Sequence, residues 1–144
     1  MINGLDLQKI HDLGRDLNSP HVAVRFLSNF LGMLPQRLAR IQSAVAAYDD
    51  ETAMDALLSL TITAAMTGAA ETESCCLALQ DSVRKRDFAL AHGQGVALAE
   101  VVARLQSVAP LLLAQAAQAL GLGGKFAVPG CAAAWKAPMP QVGR

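Results

Sequence analysis

The stretch Ala56-Leu57-Leu58-Ser59-Leu60-Thr61-Ile62-Thr63-Ala64-Ala65-Met66-Thr67-Gly68-Ala69 decides how this chain is read. Ala53, Leu57, Leu60, Ala64 and Thr67 recur at three- and four-residue intervals, the spacing of one helix face. A second apolar row, Met54, Leu58, Ile62 and Met66, follows at intervals of four and winds slowly around the same helix. The helix is predicted from about Glu51 to Thr67, with Asp49-Asp50 supplying its start and Gly68 its end. One face is the core face, and the second row drifts from the core edge toward the surface.

The same periodicity extends outward in both directions. Leu5, Leu7, Ile10, Leu13 and Leu17 predict a short N-terminal helix. Asn18-Ser19-Pro20 breaks it and restarts the chain, with Ser19 as cap and Pro20 in the first turn. Val22, Val24, Phe26, Leu27, Phe30, Leu31, Leu34, Leu38, Ile41 and Val45 mark a long helix to about Tyr48, and Pro35 inside it is expected to bend or divide it. A third bundle helix is predicted from about Ala70 to Lys85, with Arg84-Lys85-Arg86 placing positive charge at its C-terminus. Asp87 caps a fourth, which runs to about Val108 and is weakened locally by Gly93 and Gly95. Pro110 opens a last short helix to about Leu120. A Gly-, Ala- and Pro-rich tail follows, with Phe126 and Trp135 as possible anchors and part of its length expected to be disordered. Successive helices with short joins imply an all-α fold, an antiparallel up-down four-helix bundle over 1–109 preceded by the short helix, with 110–144 as an extension that can pack on the bundle.

Composition agrees with this class. Of 144 residues, one is Trp, one Tyr and four Phe, while Ala and Leu abound, which favours helix over strand. Twelve Lys and Arg balance twelve Asp and Glu, and a general nucleic-acid binder would carry a basic excess. No apolar run approaches the roughly 20 residues that span a bilayer, and no signal peptide is evident, so a cytoplasmic location without membrane attachment is expected. The three cysteines, Cys75, Cys76 and Cys131, are odd in number and wrongly spaced for a disulfide framework or a zinc knuckle, and Cys76 reads as a core residue.

The central stretch is similar to the second bundle helix of histidine phosphotransfer (HPt) domains, whose core reads His-x-Leu-Lys-Gly-Ser followed by small residues and Gly-Ala. The likeness extends over roughly Leu5 to Ala109. Phe30-Leu31-x-x-Leu34-Pro35-x-Arg37-Leu38 resembles the family's first bundle helix. Ala46-Ala47-Tyr48-Asp49 resembles its A-A-x-D junction. Gly68-Ala69 is followed by Cys76, Leu79 and Gln80 at the offsets of the family's Cys-x-x-Leu-Glu, and Arg86-Asp87-Phe88 resembles the turn before its fourth helix. The alignment runs without gaps from Leu34 to Gln80.

The departures gather at the active centre. Leu58 stands at the phosphoacceptor histidine, Thr61 at the lysine and Ile62 at the glycine that leaves room for a receiver domain. Leu60 keeps the packing leucine and Thr63 a small hydroxyl. A phosphoryl relay needs a nucleophilic imidazole, space and nearby positive charge, and these three changes remove or reduce each. His11, His21 and His92 lack the family's neighbours. Ser59, Thr61 and Thr63 are expected to bond their own backbone or face water. No metal-ligand cluster, phosphate loop or nucleophile–base set is present, so no cofactor and no enzymatic activity are expected.

The resemblance implies a phosphorelay module that binds a receiver domain of a response regulator or a histidine kinase without passing phosphate. Its partner surface would comprise Met54, Asp55, Leu58, Ser59, Thr61, Ile62 and Ala65. The residues themselves leave alternatives open. The apolar row is either a docking face, which also suits a homodimer or an oligomerisation module outside any phosphorelay, or it is covered, by rotation of the helix, by the 110–120 helix or by the Trp135 tail.

Overall fold

A computed structural model of the chain describes residues 5–122. Six helices and no strand are found among them: α1 (Leu7–Asp16), α2 (Pro20–Ala46), α3 (Asp50–Thr67), α4 (Ala70–Arg84), α5 (Phe88–Ser107) and α6 (Ala109–Ala119). The fold is all-α. The expected Phe126 and Trp135 anchors lie outside the described residues.

One device repeats where helices end. Asn18, Tyr48, Gly68 and Arg86 have φ of 55°, 57°, 79° and 57°, and Gly121 closes α6 with 81°. In each case the next residue's N–H reaches five residues back, as in Asp49 to the Ala44 carbonyl (2.9 Å), Ala69 to Ala64 (2.9 Å) and Asp87 to Ser82 (2.9 Å). This is the Schellman arrangement, in which one left-handed residue reverses the chain and satisfies the orphan carbonyls of the last turn. The following residue then caps the next helix. Ser19 Oγ accepts from the Val22 N–H, Asp49 Oδ1 from Thr52 and Asp87 Oδ1 from Leu90. The hydrogen bond from Thr52 holds the Asp49 carboxyl below the usual carboxylate range. α4 and α6 start without such a cap, because Ala69 and Val108 stand at those positions.

A side chain other than glycine costs about 1–2 kcal/mol in the left-handed region. At Tyr48 and Arg86 the cost is offset by contacts between the two junctions. The Tyr48 and Phe88 rings lie 5.2 Å apart, the Arg86 guanidinium sits 5.3 Å above Phe88, and Arg86 also pairs with Asp50 at 2.7 Å. At Gly68 no side chain fits. A Cβ there would stand 2.6 Å from the Asp6 carbonyl oxygen, and the Asp6 N–H donates to the Gly68 carbonyl at 2.9 Å. That bond fastens the segment before α1 to the α3–α4 junction.

These reversals set neighbours. α2 packs on α3 and α5, α3 on α4, and α4 on α5, so the four close a cycle of contacts around a core of Leu27, Leu31, Leu34, Ile41, Leu57, Leu60, Leu79, Val83 and Leu98. Truncating one of these leucines to alanine typically costs about 2–5 kcal/mol. α1 crosses α2 and α3, and α6 packs on α2 and α1. Leu112, Leu113, Ala116 and Ala117 of α6 belong to the same buried cluster. α5 and α6 meet at a 64° bend without a left-handed residue. No single helix among the described residues is long and apolar enough to cross a membrane.

Pro35 does not divide α2, which runs unbroken through it. Proline has no N–H, so the carbonyl one turn back, at Leu31, loses its helical partner. The Gln106 side-chain amide of α5 donates to that carbonyl instead. A proline in one helix has thus made a polar binding point for another. Replacing Gln106 by Leu should cost about 1–3 kcal/mol in urea denaturation, because Leu31 is buried and its carbonyl would have no donor. In a Pro35→Ala background the restored N–H takes over, and the same replacement should cost much less. Equal costs in both backgrounds would refute this account.

Candidate functional site

Helix α3 separates its faces cleanly. Ala53, Leu57, Leu60, Ala64 and Thr67 are wholly buried, and Ala56 joins them. The opposite face carries Leu58, Ile62 and Met66, which are 46%, 59% and 39% exposed. Such exposure of three large apolar side chains on one helix decides between the alternatives for the described residues. The helix is not rotated, and α6, which packs on α2 and α1, does not cover the row. The Trp135 tail lies outside the described residues.

The remaining members of the predicted surface distribute around this row. Asp55 is exposed and pairs with Arg40 of α2 at 2.9 Å. Ser59 is exposed and its Oγ accepts from Arg37 at 2.8 Å. Both lie on the α2 side of the apolar row. Thr61 faces the other way, toward α4. Its hydroxyl donates to the Leu57 carbonyl at 2.6 Å and accepts from the Gln80 amide at 2.8 Å. Met54 and Ala65, seven residues before and four after Thr61, share its side of the helix and are half-buried. Leu58, Ile62, Asp55 and Ser59 therefore make one open face, whereas Thr61, Met54 and Ala65 line its seam with α4.

Positive charge reaches this face from α2 and α4. Arg37 and Arg40 stand beside Ser59 and Asp55, and with Met33, Gln36 and Ala56 they line a shallow depression of about 290 Å³ between α2 and α3. On the far side Arg84 donates to the Gln80 side-chain oxygen Oε1 at 3.3 Å. The sequence names Arg37 only within a family-like motif and Arg84 only as charge at a helix C-terminus, and it does not single out Arg40. The available signal was the three-residue spacing of Arg37 and Arg40 on α2. Linking them to α3 requires the helix pairing. The Arg40–Asp55 pair is half to three-quarters exposed, and exposed pairs contribute about 0–1 kcal/mol, so opening it costs little.

Leu58 presents hydrocarbon at the position the resemblance gives to a nucleophile. Thr63 donates to the Ser59 and Leu60 carbonyls, and Thr67 to those of Thr63 and Ala64. No hydroxyl here has a base within hydrogen-bond distance to activate it. His92 sits on α5 beside Ile41, Gln42 and Val45 of α2, away from this face. Among the described residues no three His, Cys, Asp or Glu side chains converge to hold a metal.

Cys76 backs the site from within. It is fully buried against Thr61, and burial drives its thiol from 9.0 up to about 12, with the Thr61 hydroxyl opposing weakly. The folded state favours the protonated thiol, so its contribution to stability is whole below pH 9 and declines as pH rises from 9 toward 12. Cys75 is half-buried, and burial with the Glu71 charge raises its thiol less strongly. In a Cys131→Ser variant, iodoacetamide at pH 8–9 should label Cys75 slowly and Cys76 only after denaturation, as read by mass spectrometry. Native labelling of Cys76 at the rate of Cys75 would show that α3 and α4 part readily.

Comparison of the chain with protein-family models, with curated proteins and with solved structures gives no match.

Proposed function

We propose that this chain is a degenerate HPt-like docking module, an antiparallel up-down four-helix bundle (α2 to α5) that binds a receiver domain or a histidine kinase and carries no phosphoryl group. The observation that carries this reading is the open apolar pair Leu58 and Ile62 on α3, bordered by Arg37 and Arg40. A large exposed apolar row on an otherwise well-buried helix favours a protein partner, and an apolar centre with a charged rim is the usual anatomy of an interface. The sequence resemblance points the partner class to phosphorelay proteins. The loss of the nucleophile removes transfer but leaves docking intact.

The test offers purified protein to a phosphorylated sensor kinase and to several receiver domains, with binding and label followed on the same sample. Binding without label transfer is expected, and Ile62→Glu should weaken it at least tenfold, about 1.4 kcal/mol or more, while leaving thermal stability nearly unchanged because Ile62 is exposed. Transfer of label to the wild-type chain would overturn the reading.

A further outcome follows from the surroundings of position 58. Leu58→His alone should accept little phosphate from a cognate kinase, because Ile62 still crowds the approach and Thr61 supplies no charge. Efficient phosphorylation of that single variant would refute this account of the site.

The same apolar row favours a second reading, in which another copy of the chain covers it. A mass that rises with concentration in light scattering, abolished by Ile62→Glu, together with no receiver or kinase binding, would establish that reading in place of the first.

A further inference from the structure

A separate cavity of about 300 Å³ lies between the first turn of α4 and the last turns of α5. Its wall is apolar where Val101, Leu105 and Val108 contribute, and at its edge Glu71 and Arg104 form an ion pair at 3.1 Å. Thr72 also lines it. This residue is 0% exposed, and its hydroxyl has no hydrogen-bond partner among the described residues. Buried hydroxyls nearly always have one. The same turn starts without a capping side chain, as α6 also does, so its leading N–H groups add a positive end to the cavity.

These features select a ligand class. A simple anion would meet Arg104, the helix end and the Thr72 hydroxyl, but also the Glu71 carboxylate. A simple cation would meet Glu71, but also Arg104 and the helix end. A molecule with both charges on one carbon and an apolar branch satisfies every group at once. The Glu71–Arg104 pair is 60% exposed on each side, so opening it costs little. We propose that this cavity binds a free α-amino acid with a short apolar side chain. Arg104 and the Thr72 hydroxyl donate to its carboxylate, Glu71 accepts from its ammonium, and Val101, Leu105 and Val108 receive the side chain.

The experiment is calorimetric and NMR titration of the full chain with L-leucine, with 4-methylpentanoate, which lacks the ammonium, and with 3-methylbutylamine, which lacks the carboxylate. Leucine should bind, and each analogue should bind at least tenfold more weakly. Arg104→Gln should weaken leucine at least tenfold. Thr72→Val should weaken leucine several-fold while raising the Tm, since valine has the same shape and removes the unpaired hydroxyl. No saturable shift at millimolar leucine would overturn the proposal. So would equal affinity for leucine and 4-methylpentanoate, or unchanged leucine binding by a folded Thr72→Val variant.

Discussion

The left-handed residue at four of the five helix junctions is the constraint on which the rest of this molecule depends. A single residue near φ +60° folds the chain back on itself in two or three positions, so each helix from α2 to α5 must lie against the one before it. Glycine takes that conformation without cost at Gly68. Tyr48 and Arg86 hold it because their side chains meet over Phe88 and Asp50. The Tyr48 and Arg86 junctions are thereby coupled, and strain at one is relieved by contacts with the other.

Close reversal also explains why α3 has so open an outer face. With α2 and α4 on its flanks and the core beneath, three sides of the helix are occupied. The fourth belongs to whatever comes from outside the cycle, and α6 goes to α2 and α1 instead. Leu58 and Ile62 are left in solvent while Leu57 and Leu60, their neighbours in sequence, are fully buried. The site is therefore a by-product of topology as much as of composition. Its charged border is assembled from helices that meet only through those reversals.

Much of this was legible in the chain. The core face of α3 was readable because helical periodicity is local and its alternating four- and three-residue intervals differ from the uniform four of the apolar row. Ser19, Asp49 and Asp87 announced helix starts through their short oxygen-bearing side chains, and Gly68 announced a stop. Pro35 was misjudged as a possible division. A missing N–H is visible in sequence, but the Gln106 amide that replaces it comes from a helix far along the chain. Thr61 was placed on the open face by its likeness to a family position, whereas its hydroxyl turns to Gln80, a partner that spacing along one helix does not disclose.

Sequence alone determined that the chain is helical, where the helices start and stop, which face of α3 is buried, and that position 58 has no nucleophile. These follow from backbone propensity, side-chain spacing and functional-group chemistry, all carried by neighbouring residues. Tertiary structure alone decided that the Leu58–Ile62 row is open among the described residues, that Arg37, Arg40 and Arg84 border it, and that Thr72 is buried beside Arg104 and Glu71 without a hydrogen-bond partner among the described residues. Each of those facts depends on which helix lies against which, and that is set by the summed packing of surfaces distant in sequence.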